Sequence, residues 1–140
     1  MLFMVIDDAL YARELIVETL LSRYKDLTVA NIVECSDGLE AMKMLLELRE
    51  NDRFPDLIIS DWNMPRMNGM EFIEMIKASG VFKKIPTIMI SALSHKDKVI
   101  KALARGVHYY ILKPVKPVEL LIKVEAALKS KTTAKPEPLA

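Results

Sequence analysis

The sequence predicts an α/β domain, a doubly wound parallel sheet of five strands with helices on both faces. Three observations carry that expectation. Short apolar runs alternate with segments of helical period, five of each, along the 140 residues. Four of those runs stop at a polar or charged residue, Asp7, Asp61, Ser91 and Lys113, as strands buried on both faces do where their carboxyl ends meet solvent. The composition, 51% hydrophobic and 28% charged, suits one compact domain with a substantial core and leaves no room for a second.

Residues 2–6 (LFMVI) are an unbroken apolar run that gives way to Asp7 and Asp8, the first strand. Residues 9–24 turn to helical period, with Ala12, Leu15, Ile16 and Leu20 on one face. Residues 28–33 are rich in β-branched side chains and read as the second strand. Ser36, Asp37 and Gly38 then supply turn and cap chemistry for a helix over 39–50, its period marked by Met42, Leu45, Leu46 and Arg49. Leu57 to Ser60 form the third strand, which ends at Asp61. The segment 62–69 (WNMPRMNG) holds a proline and a glycine and cannot be regular, and helix returns over 70–79 with Phe72, Ile73 and Ile76 turned inward. A fourth strand over 85–90 ends at Ser91, a fourth helix over 96–104 stops at Gly106, and a fifth strand over 109–112 ends at Lys113 and Pro114. The last helix spans 117–129, with Pro117 in its first turn and Val118, Leu121, Val124 and Leu128 as its core stripe. Residues 130–140 (SKTTAKPEPLA) lack periodicity and bulk and read as a disordered tail or the start of a linker.

Charge excludes several functions. Twenty Lys and Arg against nineteen Asp and Glu give a net charge of +1, so no overall field draws the protein to nucleic acid or to an acidic membrane. No apolar run approaches the roughly 18 residues of a membrane span. The single cysteine, Cys35, cannot make an internal disulfide, and the amino terminus lacks the pattern of a signal peptide, so a cytoplasmic address is expected.

In a sheet of this kind the functional crevice lies beyond the carboxyl ends of the strands, which brings Asp7, Asp8, Asp61, Ser91 and Lys113 to one edge. Carboxylates crowded there repel by about 4 kcal/mol per pair at about 4 Å in an effective dielectric near 20, so they call for a cation. Oxygen-only ligands with open water positions suit Mg²⁺, and the absence of His and Cys from these strand ends argues against zinc. Beside such a metal one carboxylate can attack a phosphoryl group to give an acyl phosphate, with Asp61 the central candidate. Lys113 and the Ser91 hydroxyl can take the other phosphoryl oxygens. Pro114 disfavours helix at Lys113 and makes a cis peptide possible between them.

With these residues in place, residues 1–129 closely resemble the receiver domain of two-component response regulators, and its single-domain, chemotaxis-type members in particular. The resemblance is carried by Asp7 and Asp8 after strand one, Asp61 within Asp61-Trp62-Asn63-Met64-Pro65 and Gly69, Ser91 after strand four, Tyr110 in strand five, and Lys113-Pro114. It implies a flavodoxin-like (βα)5 fold with strand order 2-1-3-4-5. It implies a phosphoacceptor role for Asp61, catalysis by Asp61, Lys113 and Ser91, and a Mg²⁺ site of Asp7, Asp8, Asp61 and the backbone carbonyl of Asn63. It also implies a switch in which Ser91 moves toward the phosphoryl group and Tyr110 turns inward, remodelling the face of helix four, strand five and helix five.

The implied partners are a histidine kinase or phosphotransfer protein and a downstream protein target. Leu120, Leu121 and Ile122 in a row suggest a partner or homodimer surface on helix five. Leu93 stands where some family members carry a side chain that interacts with attacking water, which implies slow loss of the phosphoryl group. Other readings are the amino-terminal piece of a longer regulator or hybrid kinase, a Mg²⁺-dependent aspartyl phosphohydrolase, and a flavin carrier. The hydrolase class usually has an acid where Asn63 stands, and a flavin carrier has a phosphate-cradling loop where Asp7 and Asp8 stand.

Overall fold

The computed structural model describes residues 1–92 and 95–130. Within them, five strands, β1 (Phe3–Ile6), β2 (Ile32–Cys35), β3 (Leu57–Asp61), β4 (Thr87–Ser91) and β5 (Tyr109–Leu112), alternate with five helices, α1 (Leu10–Arg23), α2 (Gly38–Glu50), α3 (Gly69–Ala78), α4 (Lys96–Ala104) and α5 (Pro117–Lys129). Every strand pair is parallel and the order is β2-β1-β3-β4-β5, as the resemblance implied.

β1, β3 and β4 are buried at every position because helices cover both faces of the sheet. Side-chain alternation divides the core into two layers. Met4, Ile6, Ile58 and Met89 pack with Leu45, Phe72, Ile73 and Leu103 of α2, α3 and α4. Phe3, Val5, Ile59, Ile88 and Ile111 pack with Ile16, Leu20, Leu120 and Val124 of α1 and α5.

Some local expectations are corrected. The strand expected over 28–33 begins only at Ile32, because Thr28 and Asn31 cap a short 3-10 turn, Val29–Asn31, with reciprocal side-chain to backbone hydrogen bonds. β4 starts at Thr87, just after Pro86, which has no N–H for the ladder. In α2 Leu48 is buried and Leu46 exposed. In α5 the inward stripe is Leu120, Val124 and Ala127, while Val118 is 71% exposed. Of the expected stripe, Val124 is buried and Leu128 packs partly against the core, while Val118 and Leu121 give way to Leu120 and Ala127, because a shift of one residue turns a helical face by about 100°. Leu120 is therefore core, and of the three apolar residues in that row only Ile122 is fully on the surface, at 61% exposure. The readings for Leu93 and for 131–140 fall outside the described residues. No helix among the described residues is long and apolar enough to cross a membrane.

At the amino end of the sheet, His108 is 2% exposed and its Nδ1 accepts the Thr87 N–H at 3.2 Å, while its Nε2 is buried without a hydrogen-bond partner. Burial, with the nearby Lys77 ammonium, pushes its pKa down from 6.5 to about 4. The unfolded chain therefore binds this proton first as pH falls. Stability from this residue is complete above pH 6.5 and is lost between 6.5 and about 4, by up to about 3 kcal/mol. Urea unfolding across that window should show a steeper decline for the wild type than for His108→Asn, which keeps an acceptor for Thr87; equal slopes would contradict this.

Candidate functional site

The site follows from strand register. Ile6 of β1 pairs with Ser60 of β3, so the next residues, Asp7 and Asp61, stand side by side on adjacent strands. Each backbone is held independently. The Asp7 N–H donates to the Cys35 carbonyl at 3.0 Å, its own carbonyl accepts from Arg13 Nη1 at 2.7 Å, and Arg13 is fixed in turn by Glu34. The N–H of Trp62, the residue after Asp61, donates to the Ile90 carbonyl at 3.0 Å and to Asp61 Oδ1 at 2.9 Å. Gly69 closes the loop by donating its N–H to the Trp62 carbonyl at 2.8 Å, and a Cβ on Gly69 would lie 2.0 Å from the Asp61 carbonyl oxygen. Only glycine fits there.

Asp7, Asp8 and Asp61 each bring one carboxylate oxygen within 4.8 Å of the others. Asp7 and Asp61 are buried, at 1% and 6% exposure, whereas Asp8 lies on the surface. One cation serves the pair: Lys113 Nζ is 3.2 Å from Asp61 Oδ1 and 3.6 Å from Asp7 Oδ2. Asp7 Oδ1 accepts the Ala9 N–H, but Asp7 Oδ2 is buried with no hydrogen-bond donor.

The titration of these groups reflects that imbalance. Burial raises the Asp7 carboxyl above its ordinary value against the opposing pull of the Ala9 N–H and Lys113. Burial raises Asp61 likewise, and the Asp7 charge adds to it. For Lys113 burial works toward a lower pKa, but the two carboxylates outweigh it and hold the ammonium form. Among the described residues the site therefore holds three carboxylates and one ammonium, with the buried Asp7 Oδ2 ion-paired to Lys113 at 3.6 Å but without a hydrogen bond. That oxygen-only donor set fits a small hard divalent cation such as Mg²⁺.

Ser91 is fully buried at the end of β4, and its carbonyl accepts the Lys113 N–H at 2.9 Å, tying the ends of β4 and β5 together. The Lys113–Pro114 peptide is cis. The Tyr110 ring meets Trp62 edge-on with centroids 6.2 Å apart, and burial raises the Tyr110 hydroxyl above its ordinary pKa against the opposing pull of the Ser91 side chain. Tyr109 belongs to the opposite face, where Lys123 Nζ lies 5.4 Å from its ring. Asn63 is exposed on the loop after β3.

Sequence reasoning left open whether Trp62 is exposed; it is buried, at 8% exposure, and bridges Asp61 to Tyr110. The signal for this was its place next to a strand-end carboxylate in a two-residue alternation. The clasp of Arg13 on the Asp7 carbonyl left no trace in the apolar pattern.

The response regulator receiver domain model matches residues 3–125. The chemotaxis protein CheY1 of Helicobacter pylori is 38% identical over 128 residues, covering 91% of this chain and 97% of its own. CheY of Pseudomonas aeruginosa is 32% identical over 125 residues, covering 89% and 94%. Among solved structures, the signal receiver domain of a signal transduction histidine kinase from Syntrophus aciditrophicus superposes with a TM-score of 0.77 at 28% identity, covering 99% of this chain and 97% of that one. The fold, the acidic strand-end cluster and these matches together make the chain a member of the response regulator receiver domain family, of the CheY-like, phosphoaccepting type of two-component signalling.

Proposed function

We propose that this protein is a Mg²⁺-dependent phosphorylation switch in which Asp61 accepts a phosphoryl group from the phosphohistidine of a histidine kinase or phosphotransfer protein. The observation that supports it best is the sharing of Lys113 by two buried carboxylates, with Asp7 Oδ2 left without a hydrogen bond. Asp7, Asp8, Asp61 and the Asn63 carbonyl would hold the ion, which when bound neutralises the carboxylates and the incoming phosphoryl oxygens. Asp61 Oδ1 is oriented by the Trp62 N–H and Lys113, so the carboxylate meets the phosphorus in a fixed pose. An O–P bond to Asp61 forms as the N–P bond of phosphohistidine breaks, and the imidazole leaves with the bonding pair. The chain's own Lys113 and Ser91 carry the transfer and later hydrolysis, so the receiver acts as a switch that catalyses its own modification.

The readout follows from Ser91. Drawing its hydroxyl toward a phosphoryl group on Asp61 frees space that Tyr110, already edge-on to Trp62, can fill by turning inward. The face of α4, β5 and α5 then changes for a downstream protein or a second copy of the chain. Ile100, Leu112, Val118 and Ile122 are the large exposed apolar side chains among the described residues of these elements. On the other side, a groove lined by Tyr11, Leu15, Pro114 and Val115 borders Asp7 and Lys113 and gives a phosphodonor protein an apolar seat beside the site. The receiver unit is 1–129, with 130–140 a tail or linker, working in the cytoplasm without direct contact to nucleic acid or membrane. A receiver joined to a larger regulator or kinase is the second reading, favoured by the Syntrophus aciditrophicus structure.

Incubation with Mg²⁺ and acetyl phosphate, followed by intact mass measurement, should add one phosphoryl group to the wild type and none to Asp61→Asn, and chelating the metal should abolish the gain. An equal gain in the variant, or none in the wild type, would refute the assignment.

A further inference from the structure

The loop after β3 is clamped by a residue remote in sequence, Asp37. Arg66 takes φ +65°, the left-handed region that non-glycine residues enter only when their surroundings hold them there. Its Nε donates to Asp37 Oδ2 at 2.8 Å, and Nη2 donates to the same oxygen. Asp37 is 3% exposed, although it carries a charge. Its other oxygen accepts the Glu40 N–H at 2.9 Å and so caps α2. Next to it, the Gly38 N–H donates to the Met67 carbonyl at 3.0 Å, and a Cβ on Gly38 would come within 2.8 Å of that oxygen. The β2–α2 corner and the β3–α3 loop are therefore joined by a charge-assisted pair and by direct backbone contact. Burial works to raise the Asp37 carboxyl, but the backbone bonds and Arg66 outweigh it and hold it below its ordinary value.

The stretch under this clamp is Asn63 to Pro65, which lies between the pinned Trp62 and the pinned Arg66-Met67. Nothing in the chemistry of α2 capping requires the capping aspartate to grip a loop more than two dozen residues downstream, since the Glu40 N–H already has its acceptor. A half-exposed arginine in a strained backbone conformation is a costly way to cover one buried carboxylate, unless the shape of the loop is what it secures. We propose that Asp37 and Arg66 are positioning residues, a latch that holds the β3–α3 loop in the shape that presents the Asn63 carbonyl to the metal beside Asp61. The inference rests on the reading of that cluster as a Mg²⁺ site. It assigns Asp37 and Arg66 no contact with ion or phosphoryl group.

The test is Mg²⁺ affinity by calorimetry for the wild type, Arg66→Gly, Asp37→Asn and the double variant, with metal-free urea unfolding of each. Glycine adopts φ +65° freely, and asparagine keeps an acceptor for the Glu40 N–H, so both variants spare the fold. Each single variant should bind Mg²⁺ about ten-fold more weakly, the loss typical of removing a group that orients a metal ligand, and the double variant no more weakly than either single one. Arg66→Lys, which keeps the charge, should recover part of the loss. Metal-free Arg66→Gly should still unfold in one cooperative transition, so that its weaker Mg²⁺ binding reflects the loop and not a lost fold. Wild-type Mg²⁺ affinity in Arg66→Gly and Asp37→Asn would overturn the latch and leave the phosphoacceptor reading standing. Failure of the wild type to bind Mg²⁺ would overturn both.

Discussion

Parallel strands about 4.8 Å apart leave no freedom in where the residues just past their ends go. Because Ile6 and Ser60 are in register, Asp7 and Asp61 must share one edge, both buried and both anionic, with Lys113 as their near counter-charge. The remaining features of the site respond to that crowding. Arg13 clasps the Asp7 carbonyl, the Trp62 N–H orients the Asp61 carboxylate, and Gly69 lets the loop turn against the Asp61 backbone. A site of this kind stores electrostatic tension in the metal-free state and releases it when positive charge arrives.

The same edge connects chemistry to a surface. Ser91 sits fully buried at the end of β4 with its carbonyl bonded to the Lys113 N–H. Tyr110 packs on Trp62, whose N–H in turn reaches Asp61. Residues at the ends of β3, β4 and β5 thus meet beside Asp61, and a change there has a short physical route through Trp62 and Tyr110 to β5.

Much of this was legible in the sequence for a physical reason. Strands buried on both faces must be continuously apolar, and their polar stops at Asp7, Asp61, Ser91 and Lys113 mark the functional edge directly. The strand order was not legible from periodicity and came from the resemblance. What the pattern missed depends on contacts between distant segments. The second strand was placed too early because the β-branched residues before Ile32 belong to a capped turn, where Thr28 and Asn31 bond locally. The α5 stripe was right at Val124 but took Leu121 for Leu120, because apolar residues flank it on several sides and only packing against the sheet selects between them. Asp37 was read as cap chemistry, which it supplies, but its grip on Arg66 spans two loops and has no local signature.

At the centre of the site the ionised Asp61 carboxylate is held at a cost that a divalent cation would remove. The direct measurement is the unfolding free energy of the wild type and Asp61→Asn, with and without Mg²⁺, as a function of pH. With the Asp61 pKa raised on folding, its unfavourable contribution is absent at low pH and grows as pH rises through the folded-state value. The account predicts that at neutral pH without metal Asp61→Asn is the more stable protein, that this gap closes on acidification, and that Mg²⁺ stabilises the wild type much more than the variant. A metal-free wild type more stable than Asp61→Asn at neutral pH, with the same response of both to Mg²⁺, would contradict it.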